Sequence, residues 1–181
     1  LLNRDYGRIV NRKHFDRILS LIDPAKTVYG GTHCVDDLRI EPTIMDYVDA
    51  EDAVMGEEIF GPVLPVLIVE NMAEAEAFVK ARPKPLALYL FTEDRALQDR
   101  IVRTVSFGGG CINDTAMHLA TSNMGFGGVG ESGMGSYHGK DGFETFSHTK
   151  SIVAKKTWID LPVRYQPYRP VKKWLLKKVL G

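Results

Sequence analysis

The chain has 181 residues, a length at which one domain with a real core is the default. Its hydrophobic fraction of 44%, charged fraction of 25% and formal net charge of zero are those of an ordinary soluble globular protein. They leave no global field to attract nucleic acid or anionic lipid, Cys34 and Cys111 alone make no disulfide framework, and no signal peptide or membrane-length apolar run is present. A reducing, cytoplasmic setting is the expectation. The first residue is Leu1 rather than Met, which suggests a piece of something longer.

In chain order, Phe15, Ile18, Leu19 and Ile22 recur at helical spacing and predict a helix over Arg12 to Ile22, stopped by Pro24. Val28-Tyr29-Gly30-Gly31 reads as a short strand ending in a turn, and Leu38 to Tyr47 as extended. The run Glu57-Glu58-Ile59-Phe60-Gly61-Pro62-Val63 follows. If residues 58 to 60 are extended, Glu58 and Phe60 point the same way and Ile59 faces the core. A carboxylate beside an aromatic face suits a ligand carrying hydroxyls next to a flat ring, such as a nicotinamide riboside. Spacing alone favours a plainer alternative, an exposed acidic turn with a buried Phe.

Val63 to Val69 is a continuous apolar run, as in a strand buried on both faces. Ala73 to Ala81 reads as a helix with Phe78 and Val79 inward. Leu86 to Phe91 reads as a strand, Arg95 to Val105 as an amphipathic helix and Gly108 to Asn113 as a short strand. This alternation predicts an α/β fold, a parallel sheet with flanking helices. In such sheets ligands sit beyond the carboxyl ends of strands, which puts Asn113 and Asp114 near any active site. Residues 120–142 are glycine-dense and read as a packed loop. Ser151 to Lys156 carries a strand signal. After Pro162 the chain turns basic, with Arg164, Arg169, Lys172, Lys173, Lys177 and Lys178 and no acid among them.

Several motifs fail on inspection. Gly128-Val129-Gly130-Glu131-Ser132-Gly133 matches G-x-G-x-x-G, but a loop precedes it, more glycines follow it and the downstream acid is missing. Gly139-Lys140 lacks the earlier glycine and the following Ser or Thr of a phosphate loop. Cys111 lies in the apolar string Gly110-Cys111-Ile112, where a free Cys behaves as a small buried hydrophobe. None of the five histidines has metal-ligand spacing, so no metal site is expected.

Four stretches carry a resemblance. They are the segment around Glu58, Lys84-Pro85-Leu86-Ala87-Leu88-Tyr89, Phe126 to Lys140, and Gly142-Phe143-Glu144-Thr145-Phe146-Ser147-His148. Together they resemble the aldehyde dehydrogenase superfamily, and its class 3 branch of fatty and aromatic aldehyde dehydrogenases in particular. The resemblance runs from about Asp5 to about Pro170. It departs from the family at Met124-Gly125-Phe126, where a Leu-Pro usually precedes Phe-Gly-Gly. It implies an enzyme that oxidises an aldehyde to a carboxylic acid with NAD or NADP through a cysteine thiohemiacetal.

The family's Gly-Gln-x-Cys nucleophile motif and its general-base Glu are absent, so no catalytic residue is expected in this chain. The chain then looks like the C-terminal portion of the enzyme and should be inactive alone. The resemblance assigns Glu58 to the nicotinamide ribose hydroxyls and Phe60 to the ring. It makes Asn113, Asp114 and Thr115 to Leu119 the wall of the aldehyde tunnel, and puts His138 close to the pocket, with a loop-ordering role equally open. His118 is expected as a pocket-wall or structural residue.

The resulting division is residues 1–148 as part of the catalytic domain, 149–163 as an oligomerisation strand region of a homodimer, and 164–181 as a basic tail. Contact of that tail with a membrane surface is less favoured than a solvated or packed terminal helix. No nucleic-acid partner is expected. The alternative from another class is a non-enzymatic interaction module that kept the fold.

Overall fold

The computed structural model describes residue 1 and residues 3–180, with the side chains of 179 and 180 left aside. Helix α1 (Arg12–Ser20) starts at Asn11, whose side chain accepts the His14 amide at 3.0 Å. A capping side-chain oxygen of this kind satisfies a donor that the first turn would otherwise leave orphaned. Four short strands follow: β1 (Thr27–Tyr29), β2 (His33–Cys34), β3 (Arg39–Ile40) and β4 (Thr43–Met45). Then come β5 (Val63–Pro65), α2 (Met72–Lys80), β6 (Ala87–Leu90), α3 (Arg95–Thr104) and β7 (Gly109–Ile112). Helices α2 and α3 are capped in the same way, by Asn71 and Asp94. Helices α4 (Gly139–Thr145) and α5 (Pro170–Leu180) complete the described chain.

The architecture is α/β with flanking helices, but the strands form three small sheets rather than one. Strands β1, β4 and β5 make the first, with β1 antiparallel and β5 parallel to β4. Strands β2 and β3 form a hairpin pair. Strands β6 and β7 pair in parallel, from Ala87 opposite Gly109 to Leu90 opposite Ile112, with α3 between them in sequence. The expected long strand from Val63 to Val69 is cut to three residues. Pairing with the β4 side passes Pro65 and ends at Val66, whose amide donates to the Met45 carbonyl at 2.8 Å and whose carbonyl accepts the Val48 amide at 3.2 Å, and Leu64 and Ile68 stand 58% and 68% exposed. The extended reading of Leu38 to Tyr47 is broken at both ends by left-handed backbone, φ +52° at Leu38 and +55° at Tyr47.

Two apolar cores result. The first gathers Phe15, Ile18 and Leu21 of the α1 region with Ile40, Met45, Val48, Val54 and Val63, and Ile59 packs against it. Phe15 and Ile18 are completely buried, each worth roughly 2–3 kcal/mol of transfer free energy. The second is smaller: Leu90, Ile101 and Val105, flanked by Val79, Leu88, Leu97 and Phe107.

Residues 149–156 form no strand within the chain, and Ile152 and Val153 are 76% and 94% exposed. A strand needs a partner for its backbone groups, and none of the described residues supplies one. The glycine-dense loop is more ordered than expected. Phe126 and Tyr137 exchange both backbone hydrogen bonds at 2.9 Å, and α4 begins inside the segment at Gly139. No helix among the described residues is long and apolar enough to cross a membrane.

Candidate functional site

Glu58 and Phe60 line one open cleft of about 840 Å³, between the segment 8–10, the outer face of α1 and the loop 57–60. Ile59 turns inward onto the first core. Glu58 and Phe60 share this cleft without the extended backbone that was expected. Residues 57–60 are not a strand, and Phe60 has φ +48°. Left-handed backbone is uncommon for a bulky residue and persists only where its surroundings hold it. The Phe60 side chain is 81% exposed, so the expectation of a buried Phe fails.

Helix α1 holds this loop. Arg17 pairs with the Glu57 carboxylate at 3.1 Å and donates to the carbonyl oxygens of Glu58 at 3.4 Å and Ile59 at 2.6 Å. Gly61 sits on Ile18, where an added Cβ would lie 2.7 Å from the Ile18 Cδ1. Glu58 has no ion-pair partner among the described residues, while Arg8 and Lys13 share its cleft. A free carboxylate, an open aromatic face and two cations suit a ligand with vicinal hydroxyls, a flat ring and anionic groups. That is the chemistry of a dinucleotide. Arg8, Lys13 and Arg17 were missed in the sequence, and the Arg17 contact with the loop joins residues about forty positions apart.

The second group lies at the carboxyl end of β7. Asn113 is left-handed, φ +56°, and its amide is already engaged. Its Oδ1 accepts the Thr92 amide at 2.7 Å and its Nδ2 donates to the Thr92 carbonyl at 2.9 Å, tying the ends of β6 and β7 together. Asp114 Oδ1 accepts the Thr115 amide at 2.7 Å, an arrangement of a tight turn. Leu119 is half-open, at 40% exposure.

His118 is buried among aromatic rings, with Tyr89 at 5.8 Å and Phe126 at 5.7 Å between centroids. Its Nδ1 lies 3.6 Å from the Cys111 thiol, and its ring covers Gly109, where a Cβ would come within 3.0 Å of the imidazole. A larger residue there would require the imidazole to shift. His138, φ +89°, stacks on Phe126 at 6.2 Å and meets Tyr137 edge-on at 4.1 Å. Phe126 therefore separates the two imidazoles. Four residues of the site stretches singled out in the sequence, Phe60, Asn113, Ala116 and His138, have positive φ. No cluster among the described residues could hold a metal ion.

The chain is thus an α/β scaffold with an acid and an exposed aromatic ring on one open cleft. Residues 3–152 match the sequence model of the aldehyde dehydrogenase family, and the chain belongs to that family. It is 51% identical over 173 residues to 4,4'-diaponeurosporen-aldehyde dehydrogenase of Staphylococcus aureus, covering 94% of this chain and 38% of that protein. It is 44% identical over 171 residues to the bovine (Bos taurus) aldehyde dehydrogenase described as dimeric and NADP-preferring, covering 93% of this chain and 72% of that one. A solved substrate-bound state of Staphylococcus aureus AldH superposes with a TM-score of 0.89 at 49% identity, over 98% of this chain and 39% of the other. The chain thus spans well under half the length of the staphylococcal relative.

Proposed function

We propose that this chain forms the C-terminal portion of an NAD(P)-dependent, class 3-like aldehyde dehydrogenase, a cytoplasmic homodimer that converts an aldehyde to a carboxylic acid. Its share of the work is to bind and orient. Glu58 accepts the hydroxyls of the nicotinamide ribose, and Phe60 bounds one face of the ring. Arg8 and Lys13 offset the negative charge of the cofactor's phosphates. The cofactor supplies the hydride acceptor. The nucleophilic thiol and the general base belong to the upstream part of the enzyme, and Cys111 does not replace them. Residues 113–119 and His138 wall the aldehyde side, with the Asn113 amide holding the wall in place rather than touching substrate. The open segment 151–156 pairs with a second copy, as an unsatisfied strand edge favours.

The observation that carries this reading is the shared cleft of Glu58 and Phe60, with no ion-pair partner for the Glu58 carboxylate among the described residues. In the intact dehydrogenase, Glu58→Gln keeps the shape and removes the charge-assisted hydrogen bonds to the ribose. We expect hydride transfer in a single turnover to slow at least tenfold while alkylation of the nucleophilic thiol by iodoacetamide keeps its rate. Unchanged turnover would remove Glu58 from the cofactor site. The 181-residue chain alone should reduce no NAD in the presence of a long-chain or aromatic aldehyde.

A further inference from the structure

We infer that Arg17 is a positioning residue for the cofactor, acting through the loop that carries Glu58 and Phe60. This inference rests on the cofactor reading given above. Phe60 is bracketed on both sides by consecutive residues of α1. Ahead of it, the Arg17 guanidinium holds three groups at once: the Glu57 carboxylate and the carbonyl oxygens of Glu58 and Ile59. Behind it, Gly61 rests on the fully buried Ile18. Beyond Gly61, the Pro62 carbonyl accepts the Thr43 amide at 2.8 Å and anchors the chain to β4.

The planar, forked guanidinium is suited to this task, since its donors diverge in one plane toward separate acceptors. Arg17 is 23% exposed, so its hydrogen bonds are partly shielded from water, and α1 is itself pinned by the first core. A left-handed aromatic residue in an exposed loop relaxes unless its neighbours are fixed. Without the Arg17 contacts, the carbonyls of 58 and 59 are free to rotate. The Glu58 carboxylate and the Phe60 ring then lose their fixed places on the shared cleft. Arg17 therefore sets how well the cofactor is held without forming part of the aldehyde pocket.

The test uses the intact dehydrogenase and four variants: Arg17→Met, Arg17→Lys, Glu58→Gln, and Arg17→Met combined with Glu58→Gln. Arg17→Met should raise the dissociation constant of NAD (or of NADP, whichever the wild type prefers) about tenfold. The aldehyde KM and the iodoacetamide alkylation rate without cofactor should stay within twofold. Arg17→Lys, a single point of charge, should recover only part of the loss. In the Glu58→Gln background, Arg17→Met should add less than a further twofold, because two residues that act through one contact are not additive.

A merely structural Arg17 would lower the thermal midpoint and leave the cofactor dissociation constant of the folded enzyme within twofold of wild type, and that result would overturn the inference. A full tenfold effect retained in the double variant would also overturn it, since Arg17 would then act independently of Glu58. If Glu58→Gln alone leaves cofactor binding and hydride transfer unchanged, the cofactor reading itself falls and takes the inference with it. If Glu58→Gln weakens binding and Arg17→Met does not, only the positioning role is lost.

Discussion

The two cores differ in how completely they are closed. In the first, Phe15, Ile18, Ile40 and Met45 are each at most 1% exposed, and three strands and a helix surround them. In the second, Leu90, Ile101 and Val105 keep 4–9% exposure. Both sheets keep open outer faces, with Tyr29 and Leu64 60% and 58% exposed on the first and Tyr89 and Ile112 38% and 43% on the second, so the difference lies in the buried side. A two-stranded sheet is marginal by itself and gains stability only from what packs on it. The contrast explains where each site draws its rigidity. The loop of Glu58 and Phe60 is braced by a finished core. The wall at residues 113–119 hangs from a strand pair with open faces, held by local devices such as the Asn113 amide.

Truncation in each core is the strongest way to break this comparison. Phe15→Ala should cost about 4 kcal/mol in the intact protein, since a large side chain leaves a cavity in a closed site. Leu90→Ala should cost about 2 kcal/mol, because a less closed site collapses more easily. Urea midpoints measure both, and equal costs would contradict the difference in closure. A smaller effect is expected from Gly61→Ala. The new Cβ meets a buried Ile18 that has no room to retreat, for a cost of about 1–3 kcal/mol. Cofactor affinity should weaken with it. A Gly61→Ala protein with wild-type cofactor binding would show that the α1 seat is not needed.

The smallest effect concerns the surface between α2 and α3. Glu76 is held below its ordinary 4.5, first by the hydrogen bond from Lys80 and then by that from Thr104. A depressed carboxylate contributes stability that is present above its unfolded value and is lost as pH falls through its folded one. Wild type should therefore lose more stability than Glu76→Gln as pH drops below about 4.5, and similar acid limbs in the two proteins would remove Glu76 from the account.

Much of the scaffold was legible because its signals are local. Helix α1 follows from Phe15, Ile18 and Leu19 at helical spacing, and α2 and α3 from similar patterns. Strands β6 and β7 fall within one residue or so of the apolar runs that predicted them. The run after Val63 misled because seven apolar residues read the same whether pairing stops at Val66 or runs on, and whether or not something covers Leu64 and Ile68. The C-terminal strand signal at 151–156 finds no pairing strand among the described residues. Strand alternation was the expected reason for Glu58 and Phe60 to meet one ligand, but they share their cleft on a non-strand loop with a left-handed Phe60. Arg17 carried no sequence signal at all, since a polar residue on a helix reads as solvated until the loop that it grips is placed beside it.

Hydrogen exchange on the intact dehydrogenase, with and without saturating NAD or NADP, tests the cofactor assignment most directly. The account predicts added protection at the amides of residues 57–61 and in α1, and none at 149–160. Protection gained elsewhere with residues 57–61 unchanged would contradict it.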